Sequence, residues 1–200
     1  MFKPISASLL AATLFWGSAL VAQDATDDAE AVDDSGLSLG EEVQQAPREP
    51  QVGEPFIGDV FGDWALRCLK AEPGRADPCQ LYQLVNDDDG NSVAEISIFP
   101  IPNGNRAAAG ATIVVPLETL LTQQVTLTID GGTARRYPFT FCNAAGCVAR
   151  VGFTAEEVAL FKRGNNAEMR LVAAAAPDSE VKLNVSLTGF TAGYDSLETQ

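Results

Sequence analysis

The sequence predicts an all-β fold, namely an immunoglobulin-like two-sheet β-sandwich with one short helix and two local disulfides. Apolar and polar residues alternate with a period of two along several short segments, for example residues 125–130 and 181–187. This alternation is typical of antiparallel strands that bury one face. Clusters of glycine, asparagine and aspartate separate the segments and favour tight reversals. Many short strands joined in this way favour a sandwich over a single sheet.

Residues 1–22 have the pattern of a signal peptide for export. Lys3 supplies a positive charge, and a largely apolar run follows from Ile5 to Ala22. A basic start, an apolar middle and small residues at the end define such a signal. We expect cleavage after Ala22 or Ala19. A retained membrane anchor is the alternative, but an acidic stretch follows where an anchor usually carries basic residues.

Residues 23–55 are predicted to form an acidic, disordered linker. Between residues 23 and 54 there are ten acidic residues, one basic residue and no aromatic residue. Such a segment cannot bury enough apolar surface to offset the entropy lost on ordering. We expect a solvated spacer, with binding of a basic partner or of cations as the alternative.

Residues 56–200 are predicted to form the β-sandwich domain. Pro138 lies inside one strand pattern, and this strand is expected at a sheet edge because proline cannot donate to a ladder. Turns are expected at residues 87–91, 102–104 and 130–132. The predicted strands are Trp64–Lys70, Cys79–Asn86, Val93–Ile98, Thr112–Val115, Val125–Asp130, Tyr137–Phe141, Val148–Gly152, Ala167–Ala173 and Val181–Leu187.

One helix interrupts the strand pattern after residue 154. Thr154 and Glu157 have the spacing of a capping box at its N-terminus. Gly164 follows two basic residues and suits a left-handed stop at its C-terminus. We therefore expect a short helix that packs on the sheets through Val158 and Phe161.

The four cysteines are expected to form two structural disulfides. An even number of cysteines in an exported chain indicates disulfides, because the exported compartment is oxidising. Four cysteines allow three pairings, and we favour Cys68–Cys79 and Cys142–Cys147, which close short loops. A zinc site would need two closely spaced cysteine pairs, and a redox site would need Cys-x-x-Cys. Neither pattern is present.

Composition excludes several classes of function. The chain has no histidine, which removes Ser-His-Asp and Cys-His catalysis and histidine-ligated metals. With 13 basic and 27 acidic residues the net charge is −14, which disfavours binding to nucleic-acid phosphates. The sequence predicts no catalytic residue, no metal site and no cofactor.

Several polar residues are candidates for other chemistry. A glycosidase would need two facing carboxylates, and Glu95, Glu118 and Asp130 are possible members. The acidic cluster at residues 87–91 fails the spacing of an EF-hand calcium loop, so an exposed turn is expected there. The pair Arg135-Arg136 is expected to be solvated, with an anionic ligand as the alternative.

The sequence also predicts burial for one of two glutamines and for two aromatic residues. Gln80 and Gln83 lie on opposite faces of one strand, so one of them is expected to be buried and hydrogen-bonded. Trp64 and Phe190 are expected in the core rather than in a stacking site.

Short motifs follow one another in order along the domain. They are Trp64-x₃-Cys68, Cys79-Gln80-x₂-Gln83, Pro116-Leu117, Ile129-Asp130-Gly131-Gly132, Pro138-Phe139-x₂-Cys142-x₃-Gly146-Cys147 and Ser186-Leu187-x-Gly189-Phe190. This series resembles the invasion-associated locus B family of exported proteins of Gram-negative bacteria, over about residues 58–197. The resemblance implies a periplasmic or surface-associated β-sandwich, a contribution to host-cell entry in pathogenic members, and no catalytic motif.

The sequence as a whole favours an exported cell-envelope binding module that is not an enzyme. We expect it in the periplasm, at the cell surface or in the medium, with no membrane span after signal cleavage. Its partner would be an envelope or host protein, and the ligand-binding residues and oligomeric state stay open. The first alternative is a carboxylate-dependent hydrolase of envelope glycans. A second is an assembly factor that binds exported proteins through a strand edge.

Overall fold

The computed structural model describes Gly40 and residues 48–102 and 106–198. These residues form two antiparallel sheets and two short helices, which confirms the predicted mainly β, two-sheet class. The predicted signal peptide, most of the predicted linker and the predicted turn at residues 103–104 lie outside the described residues. The elements are β1 (Pro55–Phe61), β2 (Trp64–Leu69), β3 (Cys79–Asn86), β4 (Ser92–Pro100), β5 (Ala109–Val115), a 3-10 turn (Leu121–Gln123), β6 (Val125–Ile129), β7 (Arg135–Tyr137), β8 (Phe141–Asn143), β9 (Gly146–Phe153), α1 (Ala155–Arg163), β10 (Asn166–Val172), β11 (Glu180–Ser186) and α2 (Phe190–Glu198).

Each sheet combines pairs of consecutive strands with one pairing between strands distant in the chain, β5 with β9 in one sheet and β6 with β10 in the other. The seven-stranded sheet has the order β1-β2-β3-β4-β5-β9-β8, so its first five strands form a meander. The four-stranded sheet has the order β11-β10-β6-β7. Except for Tyr137–Phe141, every predicted strand is confirmed to within three residues at each end. The strand β1 was not predicted.

The last part of the predicted linker already bonds to the domain. The N–H of Gly53 donates to the carbonyl of Lys70, and the N–H of Lys70 donates to the carbonyl of Glu54. Arg48 forms an ion pair with Glu54 at 2.6 Å. These contacts extend the pairing of β1 with β2 back to residue 53.

The predicted strand Tyr137–Phe141 is wrong, because the segment belongs to two strands in different sheets. Tyr137 ends β7 at the edge of the four-stranded sheet, and Phe141 begins β8 at the edge of the seven-stranded sheet. Pro138 lies between them, where it need not donate to either ladder. Alternation of apolar residues alone cannot reveal that a chain changes sheets.

The prediction of one helix is also wrong, because a second helix, α2, ends the described chain. Phe190, Tyr194 and Leu197 are buried and follow the spacing of one helical face. Gly193 lowers helix propensity, yet a Cβ there would lie 2.4 Å from Leu81 on β3. Close packing on the sheet therefore outweighs the local preference.

The predicted capping of α1 is confirmed at its N-terminus. The N–H of Glu157 donates to the Thr154 hydroxyl, and the N–H of Thr154 donates to the Glu157 carboxylate. At the C-terminus, Gly164 has extended rather than left-handed geometry, with φ of −79°. A Cβ at Gly164 would lie 2.8 Å from Leu187, so close packing explains the glycine.

Ser186, at the end of β11, joins the two sheets; we call its bonds the Ser186 junction. Nε2 of Gln83 donates to the carbonyls of Ser186 (3.0 Å) and Asp63 (3.2 Å), and Oε1 of Gln83 accepts from the Ser186 N–H (3.0 Å). The indole N–H of Trp64 donates to the same Ser186 carbonyl at 2.8 Å. Gln83 is 6% exposed, which confirms that one of the two glutamines is buried.

Aromatic side chains extend from the Ser186 junction through the core. Trp64 and Phe190 are 0% and 1% exposed, which confirms both as core residues. Successive ring centroids are 4.9–5.9 Å apart along this path, within the range of favourable aromatic pairs. The path runs Trp64, Phe190, Phe161, Phe153 and Tyr137.

We predict that Gln83→Ala lowers the free energy of unfolding by about 2 kcal/mol, because the Ser186 N–H and the Asp63 carbonyl lose their bonds to Gln83, although the Ser186 carbonyl keeps Trp64. Gln80→Ala is the matched control, since Gln80 is an exposed residue of the same strand, and its effect should stay within about 0.5 kcal/mol. Urea unfolding of the purified chain measures both. Equal effects would contradict a special role of the junction.

Candidate binding face and pocket

The seven-stranded sheet exposes one face to solvent. Strand registers place Val60, Ala65, Tyr82, Ser97, Thr112 and Arg150 in one row across six strands, a span on the order of 24 Å. A neighbouring row contains Leu84, Glu95, Val114, Val148 and Phe141. We call these residues, together with Ile57 and Arg67, the outer sheet face; Ser97 and Val148 on this face are themselves buried.

Two arginines on the outer sheet face are held against aromatic rings. The guanidinium of Arg67 lies 4.7 Å from the centre of the Tyr82 ring and pairs with Glu95 at 3.0 Å. The guanidinium of Arg150 lies 5.6 Å from the centre of the Phe141 ring. Burial and then the charge of Glu95 raise the pKa of the Tyr82 hydroxyl, so it is a neutral donor at physiological pH.

Aliphatic side chains add apolar surface beside these arginines. Val60 is 66% exposed, Ile57 56% and Leu84 44%, and the Phe141 ring is 43% exposed. Aromatic and arginine side chains are enriched at protein interfaces, and scattered single apolar residues are ordinary at a surface. On the outer sheet face, aliphatic side chains lie beside arginine and aromatic side chains.

The solvent face of the four-stranded sheet has a different chemistry. Nη1 of Arg170 donates to both carboxylate oxygens of Glu180 at 2.9 and 3.1 Å. Glu168 lies 3.8 Å from both Arg170 and Lys182. Alternating charges of this kind are typical of a solvated surface, so the two sheets differ in what they offer to a partner.

A cavity of about 320 Å³ lies between the four-stranded sheet and helix α1. Apolar residues and a short polar rim surround it. Its lining residues are Leu127, Ile129, Gly132, Thr133, Arg135, Tyr137, Phe153, Glu157, Leu160 and Phe161. We call it the α1 pocket. Its volume is near the lower end of the range of about 300–1,000 Å³ for ligand pockets.

Glu157 is the central polar group of the α1 pocket, and its side chain is 6% exposed. Its Oε1 accepts from the Tyr137 hydroxyl (2.9 Å) and lies 3.0 Å from Nε of Arg135. Its Oε2 accepts from the N–H of Thr154 at 2.8 Å. Burial by itself raises the pKa of Glu157, but these hydrogen bonds and the Arg135 charge together outweigh it and lower the pKa.

The same contact shifts the pKa of Tyr137 in the opposite direction. Burial and then the hydrogen bond to Glu157 raise the pKa of the Tyr137 hydroxyl above its usual value. The hydroxyl is therefore a neutral donor, and Glu157 is an ionised acceptor. Sequence reasoning assigned Glu157 to a cap and Arg135 to solvent, and it did not connect either residue with Tyr137.

The three candidate hydrolase carboxylates lie at separate places. Glu95 is on β4 and is paired with Arg67. Asp130 accepts hydrogen bonds from the N–H groups of Asn165 and Asn166 at 3.0 Å each. Glu118 lies in the loop after β5, and no hydrogen bond or ion pair joins any two of the three among the described residues.

The acidic cluster at residues 87–91 forms an exposed turn, as predicted. Oδ1 of Asp87 accepts from the N–H groups of Asp89 (3.0 Å) and Asn91 (2.8 Å). The Asn91 side chain and these N–H groups lower the pKa of Asp87. The carboxylate therefore orders the turn. No cluster of three or more potential metal ligands occurs in residues 48–102 and 106–198.

The two predicted disulfides, Cys68–Cys79 and Cys142–Cys147, are confirmed. Each joins paired residues of adjacent strands, β2 with β3 and β8 with β9. A cavity of about 690 Å³ lies beside the first disulfide and includes Asp77. The N–H of Ala71, followed by Lys70, lowers the pKa of Asp77. This carboxylate thus orders the loop between the two cysteines.

The described residues define a mainly β, two-sheet domain with two local disulfides. The profile of the Invasion associated locus B (IalB) protein family matches residues 64–198. The chain belongs to this family. The resemblance stated from the sequence motifs is therefore confirmed.

Two curated relatives and one solved structure support this assignment. Invasion protein B homologues of Brucella abortus strains 2308 and 9-941 are each 25% identical over 147 residues, covering 73% of this chain and 82% of each relative. The crystal structure of invasion associated protein B from Bartonella henselae matches with a TM-score of 0.60 and 22% identity. The match covers 72% of this chain and 95% of that chain, which shows a shared fold.

Among the described residues, neither α1 nor α2 has the length and apolar character needed to cross a bilayer.

We predict that Glu157→Gln destabilises the chain by about 2 kcal/mol at pH 7, because it weakens hydrogen bonds to a buried charge. The folded-state pKa of Glu157 lies below its ordinary value of 4.5, so the charge stabilises fully above that value. This contribution is lost as the pH falls through the folded-state pKa, so the difference from wild type should shrink between about pH 5 and pH 3.

Glu156→Gln is the matched control, because Glu156 is an exposed neighbour in the same helical turn. Its effect should stay within about 0.5 kcal/mol across the same pH range. Urea unfolding at several pH values measures both variants. A constant difference for Glu157→Gln between these pH values would be inconsistent with an ionised Glu157.

Proposed function

We propose that the chain is an exported cell-envelope module that binds a protein partner through the outer sheet face and has no catalytic activity of its own. The partner is an envelope or host protein. The observation that carries this proposal is the combination of exposed aliphatic groups with arginines held against Tyr82 and Phe141 on one sheet face. Arginine and tyrosine dominate the binding energy of many protein interfaces.

The contrast between the two sheets supports this choice of surface. Most charges on the solvent face of the four-stranded sheet already neutralise one another, as in the Arg170–Glu180 pair. On the outer sheet face, the carboxylate of Glu95 pairs with Arg67, whereas Arg150 lies against the Phe141 ring. A chain whose net charge is −14 thus presents a locally basic and aromatic surface. Such a surface complements a polar or acidic partner.

Export is supported by two independent features. Residues 1–22 have the pattern of a signal peptide. All four cysteines are in disulfides, which persist in oxidising compartments such as the periplasm.

Binding is favoured over glycan hydrolysis by the state of the acidic groups. A glycosidase needs two carboxylates facing one cleft, with the pKa of the acid raised. Glu157 has a lowered pKa and is bonded through both oxygens. Glu95 is paired with Arg67, and Asp130 bonds to two backbone N–H groups.

The test is capture from envelope extract of the bacterium that makes the protein, with the full exported chain immobilised and retained proteins quantified by mass spectrometry. Leu84→Lys replaces an apolar side chain of the outer sheet face by a charged one, at the position paired with Glu95 on the adjacent strand. We expect it to reduce retention about tenfold, the size of a typical interface residue's effect. Leu117→Lys is the matched control, since Leu117 is 54% exposed in the loop after β5, and it should retain the wild-type set.

Equal retention by Leu84→Lys and wild type would overturn the outer sheet face as the binding surface. Failure of the wild-type chain to retain any protein reproducibly would overturn the binding module. Release of reducing sugars from peptidoglycan by the wild-type chain, lost in Glu95→Gln, would establish the hydrolase instead. Circular dichroism of each variant checks that it is folded.

A further inference from the structure

The α1 pocket is separate from the outer sheet face and has its own chemistry. Its walls come from β6 (Leu127 and Ile129), from β9 (Phe153) and from α1 (Phe161). These side chains are apolar, and Leu127, Phe153 and Phe161 are 4% exposed or less. The walls therefore belong to the packed core and keep their shape without an occupant.

The rim of the α1 pocket presents one cationic group. Nε of Arg135 contacts Glu157, and the Arg135 side chain is 53% exposed. Among the described residues, Glu157 is the ion-pair partner of Arg135 and contacts Nε, so the two terminal amino groups stay accessible. A guanidinium can bind a carboxylate through two parallel hydrogen bonds. Because the group is planar and rigid, Glu157 at the Nε edge also fixes the direction of the two terminal amino groups.

We propose that the α1 pocket binds a small amphipathic monoanion, with an apolar chain or ring against Leu127, Ile129 and Phe161 and a carboxylate on the terminal amino groups of Arg135. Glu157 is ionised and holds Nε of Arg135, so it positions the guanidinium and leaves the two terminal amino groups for the carboxylate of the occupant. The volume of about 320 Å³ restricts the occupant to a small molecule. This site is independent of the protein partner proposed above.

The charges around the α1 pocket favour an anionic occupant over a cationic one. Asp130, at the start of the turn beside the pocket, directs its carboxylate to the N–H groups of Asn165 and Asn166. Arg136 lies next to Arg135 on β7 but does not line the pocket, because adjacent strand residues point to opposite faces. A cation would meet Arg135 at the rim without a carboxylate free to receive it.

The test uses three probes with the same ten-carbon chain: decanoate, decanol and decyltrimethylammonium. Binding to the full exported chain is followed by amide shifts in two-dimensional NMR, below the concentration at which each probe forms micelles. We expect saturable binding of decanoate with shifts at β6, β7 and α1. Decanol should bind at least about tenfold more weakly, the loss expected for one charge-assisted contact, and the cation should not bind there.

Two variants separate the contributions of charge and cavity. Arg135→Leu should weaken decanoate binding about tenfold or more, whereas the matched control Arg136→Leu should leave it unchanged. Thr133→Trp places a large ring at the exposed rim, keeps the Arg135–Glu157 pair, and should abolish binding of both decanoate and decanol. It keeps the proposal testable if Arg135→Leu fails to fold.

Three results would overturn the proposal: decanoate and decanol binding equally well, an equal loss in Arg135→Leu and Arg136→Leu, or unchanged binding in Thr133→Trp. Absence of saturable decanoate binding to the folded wild-type chain would overturn it as well. Shifts confined to the outer sheet face would assign the anion to the other surface and remove the pocket from consideration.

Discussion

The bond network at Ser186 is the contact on which the arrangement of the two sheets depends. A sheet face can bury apolar groups against another sheet at many relative positions, because apolar contact has little directional preference. Hydrogen bonds from Gln83 and Trp64 to one backbone carbonyl are directional and partly buried. Any shift of β11 along β3 would leave these groups without partners, at a cost larger than a small loss of apolar area.

This junction also determines which surfaces stay open. Helix α2 follows β11 directly and packs on β1–β4 through Phe190 and Tyr194, so the inner face of the meander is covered. The opposite face of the same strands is left to solvent, with Arg67 and Tyr82 upon it. The aromatic path from Trp64 to Tyr137 links the junction to the walls of the α1 pocket, because it continues through one packed core.

Much of the fold could be predicted because its signals are local. The strand alternation, the capping box of α1 and both disulfides depend on residues at most 11 positions apart in the sequence. The candidate sites could not be predicted in the same way. Tyr137, Arg135 and Glu157 come from β7 and α1, which are separated by two other strands, and only packing brings them together. Arg67 and Glu95 were visible as charges, but their pairing depends on the register of three strands.

Composition, alternation and spacing are properties of the linear chain, so they were enough to predict the fold class, to favour one of three disulfide pairings and to exclude histidine chemistry. The change of sheets around Pro138 and the helical position of Gly193 depend on tertiary contacts, because contacts with distant strands outweigh local preference at both positions. Tertiary structure also decided which sheet face is covered and which buried carboxylate stays ionised. Both outcomes depend on groups brought together from distant parts of the chain, and sequence spacing carries no information about them.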